Sequence, residues 1–149
     1  MIDLTTPIVP YAGTGIFKLY ADYKETIAQL QAMNVEYDEE VWKVNDIDPP
    51  WIIVNNIGDD IELFFAKDKL FKIVLLNNFK GALPNGISLN TSIDEALKID
   101  PNLKFNDWEE VFESSEGYLL EDYIETKAIT AISIFIPELL SDDFYEYNW

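Results

Sequence analysis

Two short runs of this chain place adjacent carboxylates beside aromatic rings: Asp38-Glu39-Glu40-Val41-Trp42 and Asp107-Trp108-Glu109-Glu110-Val111-Phe112. Paired carboxylates are the raw material of hydrolase acid–base chemistry, but that chemistry also needs a cleft and a raised-pKa acid. The same pairs beside an aromatic suit a second task, meeting lysines or arginines of a basic partner. They are equally what a hairpin's solvated rim above core aromatics looks like. The second run continues with Glu113 and Glu116 at three-residue spacing before Gly117. Such a cluster could attract Ca²⁺, yet the loop pattern of a dedicated calcium site is absent, and no metal is expected. A third concentration closes the chain, where Asp142 and Asp143 precede Tyr145, Tyr147 and Trp149. Aromatics set among carboxylates suit an interface, or they dock on the protein's own core.

The missing residue types narrow the chemistry further. The chain has 149 residues, none of them Cys, His or Arg, and all 10 basic side chains are Lys. Disulfides, thiolate nucleophiles, cysteine-held metals and Ser-His-Asp catalysis are therefore excluded. There is no bidentate guanidinium for a phosphate, and Gly13-Thr14-Gly15 lacks the lysine of a phosphate loop. No catalytic residue and no cofactor is expected, and the chain reads as a non-enzyme.

With 28 acidic residues the formal charge is −18, while 48% of the chain is hydrophobic. Enough apolar material for a core sets it apart from a disordered acidic segment. The charge argues against direct binding to nucleic acid or to an anionic membrane. It points instead to a basic protein surface, or to solubility alone. The N-terminus lacks a basic, apolar leader and no stretch approaches a membrane helix, so a cytoplasmic protein is expected.

The elements that must carry these residues show a weak internal repeat. A shift of 70 residues lays Leu19 on Leu89, Glu25 on Glu95, and Glu39-Glu40-Val41 on Glu109-Glu110-Val111. Asp22 and Ser92 each precede a Glu by three residues, the pattern of a capped helix start. Helices are predicted over about Tyr23–Met33 and Ile93–Ile99, the second stopped by Pro101. Strands are predicted at Asn34–Tyr37, Val41–Val44, Trp51–Asn55, Ile61–Phe65 and Lys69–Leu76. A second set falls at Leu103–Phe105, Glu110–Glu113, Tyr118–Glu121 and Ala128–Ile136. The expected fold is α+β: two tandem helix-plus-antiparallel-meander units in one compact domain of residues 1–149, helices on one sheet face. The pseudo-repeats span about 15–76 and 86–136, with a tail at 137–149.

Gly86-Ile87-Ser88-Leu89, the capped Ser92-Ile93-Asp94-Glu95 and the strands that follow are similar in outline to the tandem unit of beta-lactamase inhibitor protein and of small outer-membrane-assembly lipoproteins. The lipobox and cysteines of those proteins are missing here. Lys69-Leu70-Phe71-Lys72-Ile73-Val74-Leu75, Gly117-Tyr118 and Ile132-Ser133-Ile134-Phe135-Ile136 also resemble cytosolic immunity proteins of contact-dependent growth-inhibition and polymorphic toxin systems. The likeness covers roughly two-thirds of the chain in outline. It implies a bacterial protein that binds and neutralises a cognate basic toxin of the nuclease type. On that reading the partner-binding residues are Asp38, Glu39, Glu40, Glu109, Glu110, Glu113, Glu116, Asp142, Asp143, Tyr145, Tyr147 and Trp149. An acidic inhibitor or nucleic-acid mimic of another basic enzyme is the alternative, and a carboxylate-dependent hydrolase the third.

Overall fold

The computed structural model describes residues 2–43, 50–141, 144 and 149. Three two-residue strands, β1 (Ile8–Val9), β2 (Gly13–Thr14) and β3 (Phe17–Lys18), form a small antiparallel sheet near the N-terminus. Helix α1 (Tyr23–Ala32) leads into β4 (Asp38–Trp42), β5 (Trp51–Ile57), β6 (Ile61–Ala66) and β7 (Lys69–Leu76). Helix α2 (Ile93–Ile99) leads into β8 (Lys104–Asn106), β9 (Val111–Glu113), β10 (Tyr118–Asp122) and β11 (Ile129–Phe135), followed by a 3₁₀ turn at Pro137–Leu140.

The expectation of two tandem helix-and-meander units is overturned. The chain is mostly β, 40% strand and 16% helical, and strands β4 to β11 make one continuous antiparallel sheet. Its order is β4-β5-β6-β7-β11-β10-β9-β8. The join is β7 against β11, paired from Leu76 with Ala131 to Lys72 with Phe135. Both strands are mostly buried on both faces, so neither could serve as a solvated edge. Pairing them satisfies their backbone groups and fuses what would be two sheets. The small sheet over residues 8–18 has short strands interrupted by Pro10, Gly13 and Gly15.

The helix starts follow the local sequence. Asp22 Oδ2 accepts the Glu25 N–H at 3.1 Å, and Ser92 Oγ accepts the Glu95 N–H at 3.1 Å. Each cap residue also forms an isolated antiparallel bridge, Asp22 with Lys69 at the start of β7 and Ser92 with Ala128 just before β11. The predicted strand at Asn34–Tyr37 is not formed. Asn34 takes a positive φ of 56° and closes α1, with its N–H on the Gln31 carbonyl and the Val35 N–H on the Leu30 carbonyl. That closure consumes the residues that a strand would need. The acidic run beyond it is itself β4, earlier than the predicted Val41–Val44; Val44 lies outside the described residues.

One sheet face carries the main core. Val54, Leu63, Phe65, Ile73, Leu75, Leu120, Ile132 and Ile134 are buried with Leu30 of α1 and with Ile93 and Ala96 of α2. The connection after β7 is tied down by Phe79 and Leu83 in the same core. The Lys80 N–H on the Leu4 carbonyl and the Ile8 N–H on the Ala82 carbonyl hold it to the N-terminal segment. Among the described residues no helix is long and apolar enough to cross a membrane.

Candidate protein-binding face

Residues directly opposite one another in antiparallel strands share a face, and successive residues alternate. Two rows therefore cross the sheet on the side away from the helices. One runs Glu40, Ile53, Phe64, Lys72, Phe135. The other runs Glu62, Val74, Ser133, Leu119, Glu113, Lys104. Carboxylates stand near the ends of an apolar floor, with one lysine near its middle. Glu121, aligned with Ala131 and Leu76, adds a third carboxylate. An open groove of about 470 Å³ lies here, lined by Glu62, Phe64, Lys72, Val74, Glu121 and Ser133 among others.

Lys72 lies over the Phe64 ring, its Nζ 5.0 Å from the centroid, a cation–π contact. Burial pushes its pKa down, while Glu121, Glu109 and Glu62 pull it back up. Burial likewise pushes the Glu62 carboxyl up; Lys72 opposes this, and Glu121 and Glu40 add to it. Lys72 makes no ion pair with another described residue. Between described residues the chain forms one ion pair, exposed Lys127 with Asp94 at 3.4 Å. Most of the acidic surface thus has no internal counter-charge, and its field extends outward, within the reach set by salt.

The expected partner-binding residues that are described lie on several elements. Asp38, Glu39 and Glu40 are exposed on β4, an outer strand. Asp38 Oδ2 accepts from Asn56 Nδ2 at 2.7 Å. Glu39 accepts from the Tyr23 hydroxyl of α1, so it faces the helices while Glu40 faces the groove side. Glu109 and Glu110 occupy the β8–β9 turn beside the opposite outer strand. Both edges bear on the groove, Glu109 acting on Lys72 and Glu40 on Glu62. Glu113 is half-buried on β9 and accepts from Asn106 Nδ2 at 2.8 Å. Glu116 sits in the β9–β10 turn, at the other end of the strands from Glu109 and Glu110. Among the described residues no group of three or more carboxylates is placed to hold a metal ion.

Asp142, Asp143, Tyr145 and Tyr147 lie outside the described residues. Trp149 packs on its own chain: it stacks on buried Phe144 at 5.2 Å and 20°, and its Nε1 donates to the Phe144 carbonyl at 3.0 Å. Lys69 Nζ donates to a Trp149 main-chain oxygen at 3.1 Å. Phe144 in turn meets Phe71 at 5.1 Å and Trp51 at 6.3 Å.

No family model, no curated protein and no solved structure matches the chain.

Two features escaped the sequence reading. Lys72 looks like any alternating strand lysine; only its cross-strand neighbours make it the cation of an acidic groove. Trp108 was read with the core aromatics, yet it is 95% exposed. Asn two residues before it was the available signal, since Asn side chains close turns on the backbone two residues on. A larger cleft, about 760 Å³, lies elsewhere, where α1 ends against the β5–β6 turn. Of its carboxylates Glu36, Asp38, Asp59 and Asp60, only Asp60 is buried, and its Oδ1 accepts the Asn78 N–H at 2.9 Å.

Proposed function

We propose that this chain works by binding: it holds and neutralises a basic protein, as an immunity protein does its toxin, and it does so in the cytoplasm. The observation that carries this reading is the groove face, where Glu62 and Glu121 line the groove with Lys72 and Glu40 stands on the same face. An uncompensated negative field speeds encounter with a basic surface. Carboxylates here take the place that phosphates hold on a nuclease's substrate. The outline likeness to immunity proteins and the absence of His, Cys and Arg support binding over catalysis.

The test is co-expression with the product of the adjacent gene. Stable co-purification, with rescue of any growth arrest that product causes, is the expected result. A partner that fails to co-purify and still kills cells carrying this chain would overturn the proposal.

A further inference from the structure

Two adjacent hairpins end in exposed apolar side chains at the same end of the sheet. Trp108, in the β8–β9 turn, is 95% exposed, and Ile124, in the β10–β11 turn, is 86% exposed with Tyr123 beside it. The turn centres are two strand spacings apart, about 10 Å.

Both turns are held by their own hydrogen bonds. Asn106 Oδ1 accepts the N–H groups of Trp108 at 2.9 Å and Glu109 at 3.2 Å, while its Nδ2 donates to Glu113. The second turn closes through the Tyr123 N–H on the Ala128 carbonyl at 2.9 Å and the Lys127 N–H on the Tyr123 carbonyl at 2.6 Å. These contacts fix the backbone and leave the apolar tips facing water. Ordering them on binding then costs little entropy, which is what an interface anchor needs. A buried Trp removes about 150–250 Å² from water, the largest contribution a single side chain makes.

The surroundings specify the partner. Asp107, Glu109, Glu110, Asp122 and Glu125 lie in or next to the two turns, and the one lysine there, Lys127, is already paired with Asp94. A second copy would bring like charges together, and an anionic membrane would be repelled. We infer that Trp108 and Ile124 are the anchors of the interface, received by apolar sockets rimmed with lysine or arginine on the basic partner. The inference rests on the reading that this chain binds a basic protein.

The experiment measures binding of the adjacent gene's product to wild type, Trp108→Ala, Trp108→Phe and Ile124→Ser by calorimetry. Since both side chains face solvent, the variants should melt with the wild type. Trp108→Ala should weaken binding at least ~30-fold, Trp108→Phe should recover much of it, and Ile124→Ser should weaken it about 5-fold or more. Full affinity in Trp108→Ala, with wild type binding, overturns the anchors and leaves the functional reading standing. No binding by wild type overturns both. Two further arms use the chain alone and zwitterionic phosphatidylcholine vesicles. A dimer in sedimentation that Trp108→Ala abolishes, or a vesicle-induced blue shift of tryptophan emission that it removes, would assign the tips elsewhere and overturn the proposal.

Discussion

Replacing Asp100 with Asn tests how the end of α2 is fastened to the sheet. Asp100 is the C-cap of α2 and only 8% exposed. Its Oδ2 accepts from the Ser114 hydroxyl at 2.8 Å and the Tyr118 hydroxyl at 2.6 Å, and its Oδ1 accepts the Asn102 N–H at 3.2 Å. Tyr118 is 1% exposed and accepts from Asn85 Nδ2 at 3.1 Å. Burial alone would raise the Asp100 pKa; the Tyr118, Ser114 and Asn102 donors outweigh it and hold the carboxyl below its ordinary range.

A hydrogen bond to a charged group contributes about 1.5–3 kcal/mol and a neutral one about 0.5–1.5, so the amide forfeits roughly 1 kcal/mol per bond. With three bonds and partial rearrangement, Asp100→Asn should cost about 2–3 kcal/mol at pH 7. For a chain of this size that lowers Tm by about 6–9 °C. The pH dependence has a definite sign. A depressed folded-state pKa means ionised Asp100 stabilises the fold above the unfolded-state value, and that stabilisation is lost as pH falls through the folded value. In urea titrations between pH 7 and pH 3, the gap between wild type and Asp100→Asn should therefore narrow with acidification. Tyr118→Phe should cost about 1 kcal/mol, and the double variant less than the sum, because the two residues share one network. A variant within ~0.5 kcal/mol of wild type, or a gap that stays constant down to pH 3, would refute the reasoning.

Three further outcomes follow from the same geometry. Phe144→Ala, which empties a site against Phe71, Trp51 and Trp149, should cost about 3 kcal/mol by urea denaturation; a cost under ~1 kcal/mol would show that the tail is not docked. Gly117→Ala would set a Cβ 2.5 Å from the Tyr11 ring at a φ of 97°, so it should destabilise by about 2–3 kcal/mol, against no change in melting if Tyr11 moves aside freely. The Tyr118 hydroxyl is pushed up to about 12 by burial and then by its bond to Asp100. Its contribution should persist below about pH 10 and be lost as pH rises toward 12, visible as an alkaline unfolding step that Tyr118→Phe weakens.

What the sequence made legible was local. Asp22 and Ser92 cap their helices because a side-chain oxygen three residues before a free N–H needs no tertiary help. Pro101 stops α2 for an equally local reason. The strand β7 was legible to its ends, Lys69–Leu76, because its apolar run is bounded by turn residues. Sheet connectivity was not legible: that β7 pairs with β11 depends on two segments remote in sequence finding each other. The pattern on each strand is the same whether its neighbour comes from the same meander or the other one.

The candidate site divides the same way. The carboxylates of Asp38–Glu40 and Glu109–Glu110 were visible as surface charge, but their placement on opposite edges follows from strand order. Glu62, Glu121 and Lys72 form a groove only through register across four strands. Trp108 reads as core by residue type; its exposure comes from a turn that Asn106 closes beneath it.

The central claim, that an acidic face captures a basic protein, is tested most directly by the association rate with the adjacent gene's product as salt is varied. Stopped-flow measurements from about 20 to 500 mM NaCl should show the rate falling at least ~10-fold, and Glu40→Gln/Glu62→Gln/Glu121→Gln should flatten the slope. A rate that does not change with salt, or a slope unaffected by removing those three carboxylates, would contradict it.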